Sequence, residues 1–580
     1  MRLYFNRKMI ANLCLIPLPR ILGSGSFVKV LGCLFILTGA VSCGVSKSLK
    51  NIPDISNYSL EKPERIQVAD SSYTTENGFI AKNKQGLWEL YVKGNPMELG
   101  LHTGALTQEL FHKQENALLS KVDELVPSKT KQYLLRKFLA WFNRKMYLNI
   151  KEDFKSEIYG LSQYASSKYQ HIAEPYPRIL YLHGAHDIGH ALQDLALVGC
   201  SSFAAWGDKT EDGELIIGRN LDFYAGDTFA EDKIIAFVEP DKGHSFMSVT
   251  WGGMLGVVSG MNNQGITVTI NAGKSKFPLV AKTPISLVTR EILQYAGTIE
   301  EAIAIAKKRE VFVSESIFVG SAKDKEVVLI EVSPKNFGVY KVENQNTLVC
   351  SNHFQSAAYA EDKKNKQHIL ESHSQYRYER MEELLGENPK VTPEVAVGIL
   401  RNKEGLGNKE IGYGNEKALN QLLAHHGIVF KPEELLVWVS SNPYQLGEFV
   451  AYDLNTIFNK GEIVKNPKGL ASNALRIKKD SFQYTKAFRD YQTYKSLKSS
   501  IESAIKKEKK LDLQVLQDIQ DSNPNYWEAY YISGQYLYEQ DYYRAAFEVF
   551  NTAKTKEITT LVDQENVDHY LRKIKRKINL

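Results

Sequence analysis

The spacing of apolar residues changes several times along this chain, and each change predicts a change of element. From Gly78 to Val92 short runs alternate apolar and polar residues, the period of half-buried strands. Leu106 to Val122, Lys131 to Tyr147 and Phe154 to Ser167 place apolar residues three and four apart, which predicts helices. From Ser202 to Tyr340 the pattern turns to strand. Leu215-Ile216-Ile217, Ile234 to Val238, Phe246 to Trp251, Gly256-Val257-Val258, Thr267 to Ile270, Ile317 to Val319 and Val327 to Val332 are separated by turn pairs such as Asp212-Gly213 and Gln264-Gly265. Helices Ser286 to Tyr295 and Thr298 to Lys308 interrupt them, and helical turns follow at Met381 to Leu385 and Val395 to Leu400. Ile428 to Phe430, Leu435 to Val439 and Glu448 to Tyr452 return to strand. After about Asp480 the chain reads as helix, rich in Tyr and Lys. Strands, then helices, then strands predict an α+β layered sandwich with helices outside two sheets.

The N-terminus reads differently. Arg2, Arg7, Lys8, Arg20 and Lys29 precede an apolar run from Val30 to Val41, the form of a signal peptide over residues 1–42. Ala40-Val41-Ser42-Cys43 has the form of a bacterial lipobox, with Cys43 as the lipidated first residue and Ala40 where a larger aliphatic residue is usual. An uncleaved anchor is the alternative, though the run is short for a span. Residues 43–65, polar and punctuated by Pro53 and Pro63, read as a tether from the membrane surface. The leader also explains the charge. The chain carries 72 basic and 67 acidic side chains, and five of the basic ones sit in the leader with no acidic partner, so the remainder is neutral. That balance argues against nucleic acid as a partner. With Cys14 and Cys33 in the leader and Cys43 lipidated, only Cys200 and Cys350 remain. Export permits a disulfide, but pairing these two would block the chemistry below. Cys200 is read as a free functional thiol and Cys350 as a buried strand thiol near it.

Cys200 opens a strand in Gly199-Cys200-Ser201-Ser202-Phe203, and Gly218-Arg219-Asn220-Leu221-Asp222-Phe223 follows on the next. If the chain is cut between Gly199 and Cys200, Cys200 gains a free α-amine. That amine, with a reference pKa of about 8, can take the proton of its own thiol. Arg219 and Asp222 would orient the amine and steady the thiolate. Asn271 ends one apolar strand and Asn352 follows another, so each is a candidate amide donor to a developing oxyanion. His183, His186 and His190 just before the proposed cut lack the Glu a zinc protease needs. They are read as lining the processing site or packing locally, with no metal and no cofactor. His425-His426 is read as core or pocket wall.

These motifs, in this order, resemble the penicillin acyltransferase branch of the N-terminal-nucleophile hydrolases, and more distantly the choloylglycine hydrolases. Gly199 to Phe203, Gly218 to Phe223, Met261-Asn262, Ile270-Asn271-Ala272 and Ser351-Asn352-His353 carry the likeness. Gly94 to Gly104 and Glu157 to Leu161 resemble that branch's pro-segment. The resemblance spans roughly residues 90 to 455. It implies a four-layer αββα sandwich, self-cleavage before Cys200, and attack by Cys200 on an amide to give an acyl-enzyme. It implies Arg219 and Asp222 as the strand pair, Asn271 and Asn352 as oxyanion donors, and Arg377 in Ser374-Gln375-Tyr376-Arg377 as the supporting buried arginine. The expected organisation is a mixed helical pro-segment over 66–199, a hydrolase core over 200–485 and a helical tail over 486–580. In that tail Gly534, Leu537, Ala546, Phe550 and Ala553 match a single tetratricopeptide helix pair, fewer than a free-standing array needs, so the tail is expected to pack on the core.

The expected activity is that of a self-processing cysteine amidohydrolase or acyltransferase on a small acylated amide, in an exported lipoprotein held to a membrane through Cys43. The alternatives are a papain-like hydrolase with an internal Cys200 served by His353 or His426, and a non-enzymatic lipoprotein that binds a protein partner through residues 486–580.

Overall fold

The structure, a computed structural model, describes residues 44–185, 187, 198–223, 227–276, 278, 280–423, 425–459 and 469–579. The leader and Cys43 lie outside the described residues, as do His186 and His190. Among the described residues no helix is long and apolar enough to cross a membrane.

Two sheets face each other. One orders eleven described strands from Ile66–Ala69 at one edge to Phe337–Tyr340 at the other. The second orders seven: Thr347–Cys350, Val198–Ala205, Ile216–Phe223, His426–Lys431, Leu436–Ser440, Phe449–Asp453 and Ser472–Ile477. Their facing sides share a core that includes Ile217, Phe237, Met261, Phe318, Ile428 and Val439. Outside the first sheet, helices Ile285–Tyr295 and Ile299–Lys308 seat Val288, Ile292 and Ala302 on Val268 and Ile270. Outside the second, helices Ser374–Glu387 and Pro393–Leu400 seat Met381, Val397 and Leu400 on Phe203, Ile216 and Val429. The four layers are those of the αββα sandwich. Central strands are buried on both faces because both are covered, which is why their burial is continuous rather than alternating, even in Ile266–Ala272, where Thr267, Thr269 and Asn271 share one face.

The segment expected to be mixed helical is also strand. Four strands between Ile66 and Gly94 extend the large sheet, and Trp88–Gly94 pairs in parallel with Ile234–Pro240 over seven residues. Helix Pro96–Leu125 then crosses Glu152–Ser162. Its start is set by Asn95, whose side chain caps the amides of Met97 and Glu98 while Glu98 returns a bond to the cap. At the crossing a Cβ on Gly100 would lie 2.0 Å from the Glu157 carbonyl oxygen, and one on Gly160 2.8 Å from that of Met97. The expected tether is likewise held down. Residues 44–50 are helical, Ser48 Oγ lies 2.8 Å from the Tyr181 hydroxyl, and the Asp54 amide donates to Glu152 at 2.8 Å.

The tail forms helices Lys486–Lys507, Gln514–Ser522, Trp527–Glu539, Tyr543–Lys554 and Leu561–Ile578. Phe550 packs within 3.0 Å of a Cβ on Gly534. The tail's core takes in Leu422 and Leu446 from the hydrolase region, so the tail is packed on it.

Candidate active site

Cys200 lies in the strand Val198–Ala205, between Thr347–Cys350 and Ile216–Phe223. Registers with Ile216–Phe223 set Gly199 opposite Asp222, Cys200 opposite Leu221 and Ser202 opposite Arg219. Alternation then sorts the groups. Cys200, Ser202, Arg219 and His426 face the other sheet, while Ser201, Asn220 and Asp222 face the helices.

The Arg219 side chain is fully buried. It donates to Ser259 Oγ at 2.6 Å and to the Ile270 carbonyl at 2.6 Å, and its Nη2 lies 3.7 Å from Cys200 Sγ. His426 Nε2 is 2.9 Å from the same Ser259 hydroxyl. Burial pushes the Cys200 thiol up. The Arg219 guanidinium pulls it back, Glu315 and Asp222 push it further up, and Arg377 draws it down. The net effect of burial holds the thiol above its ordinary value, with Arg219 the nearer of two guanidinium groups that act on it.

On the other side of the strand, Arg377 enters from the helix Ser374–Glu387. It donates to the Cys200 carbonyl at 2.6 Å, to Ser201 Oγ at 2.9 Å and to Asn352 Oδ1 at 2.5 Å. Asn352 Oδ1 also accepts the Cys200 amide at 3.0 Å. One side-chain oxygen thus holds the nitrogen that a cut after Gly199 would free. Asp222 is fully buried, and burial raises its carboxyl to about 7 against the pull of Arg377 and Arg219. The Gln445 amide beside it favours the charged form, yet neither carboxylate oxygen has a hydrogen bond of good geometry.

Five of the six expected residues meet around the Gly199–Cys200 bond, and Asn271 sits one step away, its Oδ1 accepting from Ser202 Oγ at 2.8 Å. Both N–H positions of Asn271 are used, on the carbonyls of Cys350 at 3.1 Å and Ser351 at 3.2 Å. Asn352 Nδ2 donates to the Ala272 carbonyl at 2.9 Å. Both asparagines tie strand ends together, because a buried amide is satisfied by pairing with nearby backbone carbonyls. Cys350 is a buried free thiol on the neighbouring strand, opposite Ser202. His183 packs locally, taking the Leu255 amide at 3.1 Å and bonding the Ile179 carbonyl at 2.9 Å.

Several members carried no signal along the chain. Glu315 acts on the thiol from the other sheet. Ser259 links Arg219 to His426. Gln421 Nε2 would lie 2.4 Å from a Cβ on Gly199, so it packs directly over the proposed cut. Of the aromatics near the site in sequence, Phe223 and Trp251 stack at 6.5 Å and form a box with Phe229 and His425. Phe203 instead lies under the helices. Tyr224 lies outside the described residues.

Residues 209–435 match the model of the family described as acyl-coenzyme A:6-aminopenicillanic acid acyl-transferase. The central region of the chain is similar to that family. An uncharacterized protein of Archaeoglobus fulgidus is 27% identical over 284 residues, 45% of this chain and 46% of its own length. Protein dcd1B of Dictyostelium discoideum is 23% identical over 304 residues, 48% of this chain and 56% of its own. The chain thus spans about half the length of the curated relatives it matches. Among solved structures, the N-acylethanolamine-hydrolyzing acid amidase ortholog of Caenorhabditis elegans aligns over 40% of this chain and 93% of its own, at 20% identity and a TM-score of 0.29. A mutant conjugated bile acid hydrolase from Clostridium perfringens aligns over 44% and 93%, at 11% identity and a TM-score of 0.30.

Proposed function

We propose that this chain is a self-processing cysteine amidohydrolase or acyltransferase. The observation that carries the reading is the convergence of Arg219, Asp222, Asn352 and Arg377 on the Gly199–Cys200 bond. Self-cleavage begins with the Cys200 thiol adding to the Gly199 carbonyl. The C–N bond breaks, the thiol proton passes to the departing nitrogen, and a thioester joins Gly199 to Cys200. Water splits the thioester, leaving a Gly199 carboxylate and restoring the thiol. Cys200 then carries a free α-amine held by Asn352 Oδ1, with the Asp222 carboxylate across the strand pair.

In the processed enzyme the α-amine takes the thiol proton, and the thiolate attacks a linear amide of the substrate. The amine product leaves with that proton, and an acyl-thioester remains on Cys200. Water releases the acid, or a second amine takes the acyl group. Arg219 steadies the negative sulfur. The oxyanion is served by Asn271 and Asn352 only once substrate draws their amides from the backbone carbonyls they now hold. An N-acyl amine with an apolar acyl chain suits the box of Phe223, Phe229 and Trp251. Export and a lipid on Cys43 rest on the leader alone.

The internal-cysteine reading lacks its base. His353 bonds Ser374 at 2.8 Å and His426 bonds Ser259, and neither bonds the thiol. The deciding experiment is the intact mass and N-terminal sequence of the chain lacking residues 1–42, beside Cys200→Ala. Two fragments with a new terminus at Cys200, absent from the variant, support the reading. A chain that stays whole on incubation defeats it.

A further inference from the structure

Two Gln-Leu pairs link the helical tail to the proposed site. Gln421 packs on Gly199, and the next residue, Leu422, is buried in the tail's core. Gln445 lies beside Asp222, and the next residue, Leu446, is buried in the same core. Leu422 adopts a φ of 52°, a left-handed backbone that an L residue takes at a cost, and the Tyr491 hydroxyl of the first tail helix donates to its carbonyl at 3.2 Å. Gln483 at the foot of the tail donates to the Leu446 carbonyl at 3.2 Å.

The segment before Leu422 is fastened to the tail along its length. Asn523 exchanges two bonds with the Tyr413 backbone, at 3.1 and 2.8 Å. Asn415 donates to the Glu557 carbonyl at 2.9 Å, and Lys417 pairs with the Glu557 carboxylate at 2.5 Å. The same segment ends in the Leu419 carbonyl, which accepts from Asn220, the residue next to Arg219. The Gln445 amide is fully buried and has no well-formed partner of its own. A buried amide so placed costs stability, and its neighbour is the Asp222 carboxyl.

We propose that the tail is a positioning module for the site, holding Gln421 over the Gly199–Cys200 bond and Gln445 against Asp222 through the anchors Leu422 and Leu446. This rests on the self-processing reading. An unanchored pair of glutamines would leave Gly199 and Asp222 free to drift, and displacements of about 1 Å at a reacting centre cost on the order of 100-fold in rate.

The test follows the full chain made by cell-free synthesis, with the appearance of the Cys200 terminus read by mass over time. Matured protein is then alkylated with iodoacetamide, and the rate is read on the peptide that begins at Cys200. Leu422→Ala and Leu446→Ala are expected to slow cleavage about tenfold or more, and the volume-conserving Leu422→Met and Leu446→Met to restore it. Phe550→Ala, which opens a hole among Gly534, Tyr531 and Tyr570 inside the tail, is expected to lower Tm comparably and cleave at the parental rate. Gln445→Leu is expected to raise Tm yet slow both cleavage and alkylation, a split that a purely structural role would not produce. Equal slowing by Phe550→Ala, or parental rates in both glutamine-anchor variants, overturns the proposal. Should Leu422→Ala fail to fold, Gln445→Leu decides alone, since it leaves the tail's core whole. A parental chain that never cleaves defeats the self-processing reading and this inference with it. A parental chain that cleaves while every variant matches it defeats only the coupling.

Discussion

At the scale of the residue, Arg377 and Asp222 show how one site can hold opposite electrostatic demands. Arg377 spends its guanidinium on three oxygens at once, the Cys200 carbonyl, Ser201 Oγ and Asn352 Oδ1, so its planar fork is the feature used. Arg377→Lys keeps the charge and loses the fork. Its expected outcome is a chain that stays uncut over the time in which the parent is fully processed, read by intact mass, with Tm lowered. Asp222 is the counterpart, a carboxyl raised to about 7 by burial. Its folded pKa lies above the unfolded value of about 4, so between those limits the folded chain holds a proton that the unfolded chain has lost. Stability contributed by that proton is present at low pH and is lost as pH rises toward 7. In an uncut Cys200→Ala background, Asp222→Asn should match the parent near pH 4. Its advantage in Tm should widen up to about pH 7 and then level off. A difference that is flat across this range would contradict the assigned burial. The position of Arg219, Asp222 and Arg377 was legible from motif order. That both asparagine amides would be occupied was not, because their partners are backbone carbonyls of Ala272, Cys350 and Ser351, which a sequence does not mark.

At the scale of the element, the apolar period found most of the strands and helices, and it failed where packing overrides local preference. Gly256-Val257-Val258 reads as a strand, yet the strand begins at Ser259 and ends at Asn262. Val257 and Val258 are buried all the same, since an apolar triplet can fill a core from irregular chain. Ile66–Ala69 and Ser72–Thr75, in the segment expected to be mixed helical, prove to be the outermost two strands at one end of the large sheet, because neighbouring strands supply their hydrogen bonds. The helices Pro96–Leu125 and Glu152–Ser162 meet backbone to backbone at Gly100 and Gly160. Gly100→Ala would force its methyl group into the Glu157 carbonyl and must part the two helices. The expected cost is about 1–3 kcal/mol, read by denaturant unfolding of the uncut Cys200→Ala chain, while the same change at Gly386, which has open space around it, should cost far less.

At the scale of the whole molecule, the segment before Cys200 is part of the sandwich. Trp88–Gly94 is hydrogen-bonded to Ile234–Pro240, and Arg290 makes two bonds, at 3.1 and 3.2 Å, to the buried carboxylate of Glu157 across the proposed cut. After processing, the two fragments are therefore expected to co-elute as one particle in gel filtration at neutral pH and to separate only in denaturant. Separation in plain buffer would contradict the sheet order. The chain by itself determined the layered class, the candidate thiol and the charged residues around it, and a helical tail, because periodicity and motif order are local properties of sequence. Tertiary structure alone decided that the segment before Cys200 completes the large sheet, that Glu315 and Ser259 reach the thiol's surroundings from the opposite sheet, and that Gln421 and Gln445 adjoin leucines buried in the tail's core. Those relations join residues up to hundreds of positions apart, and they exist only once two sheets are stacked and every buried polar group has sought a partner.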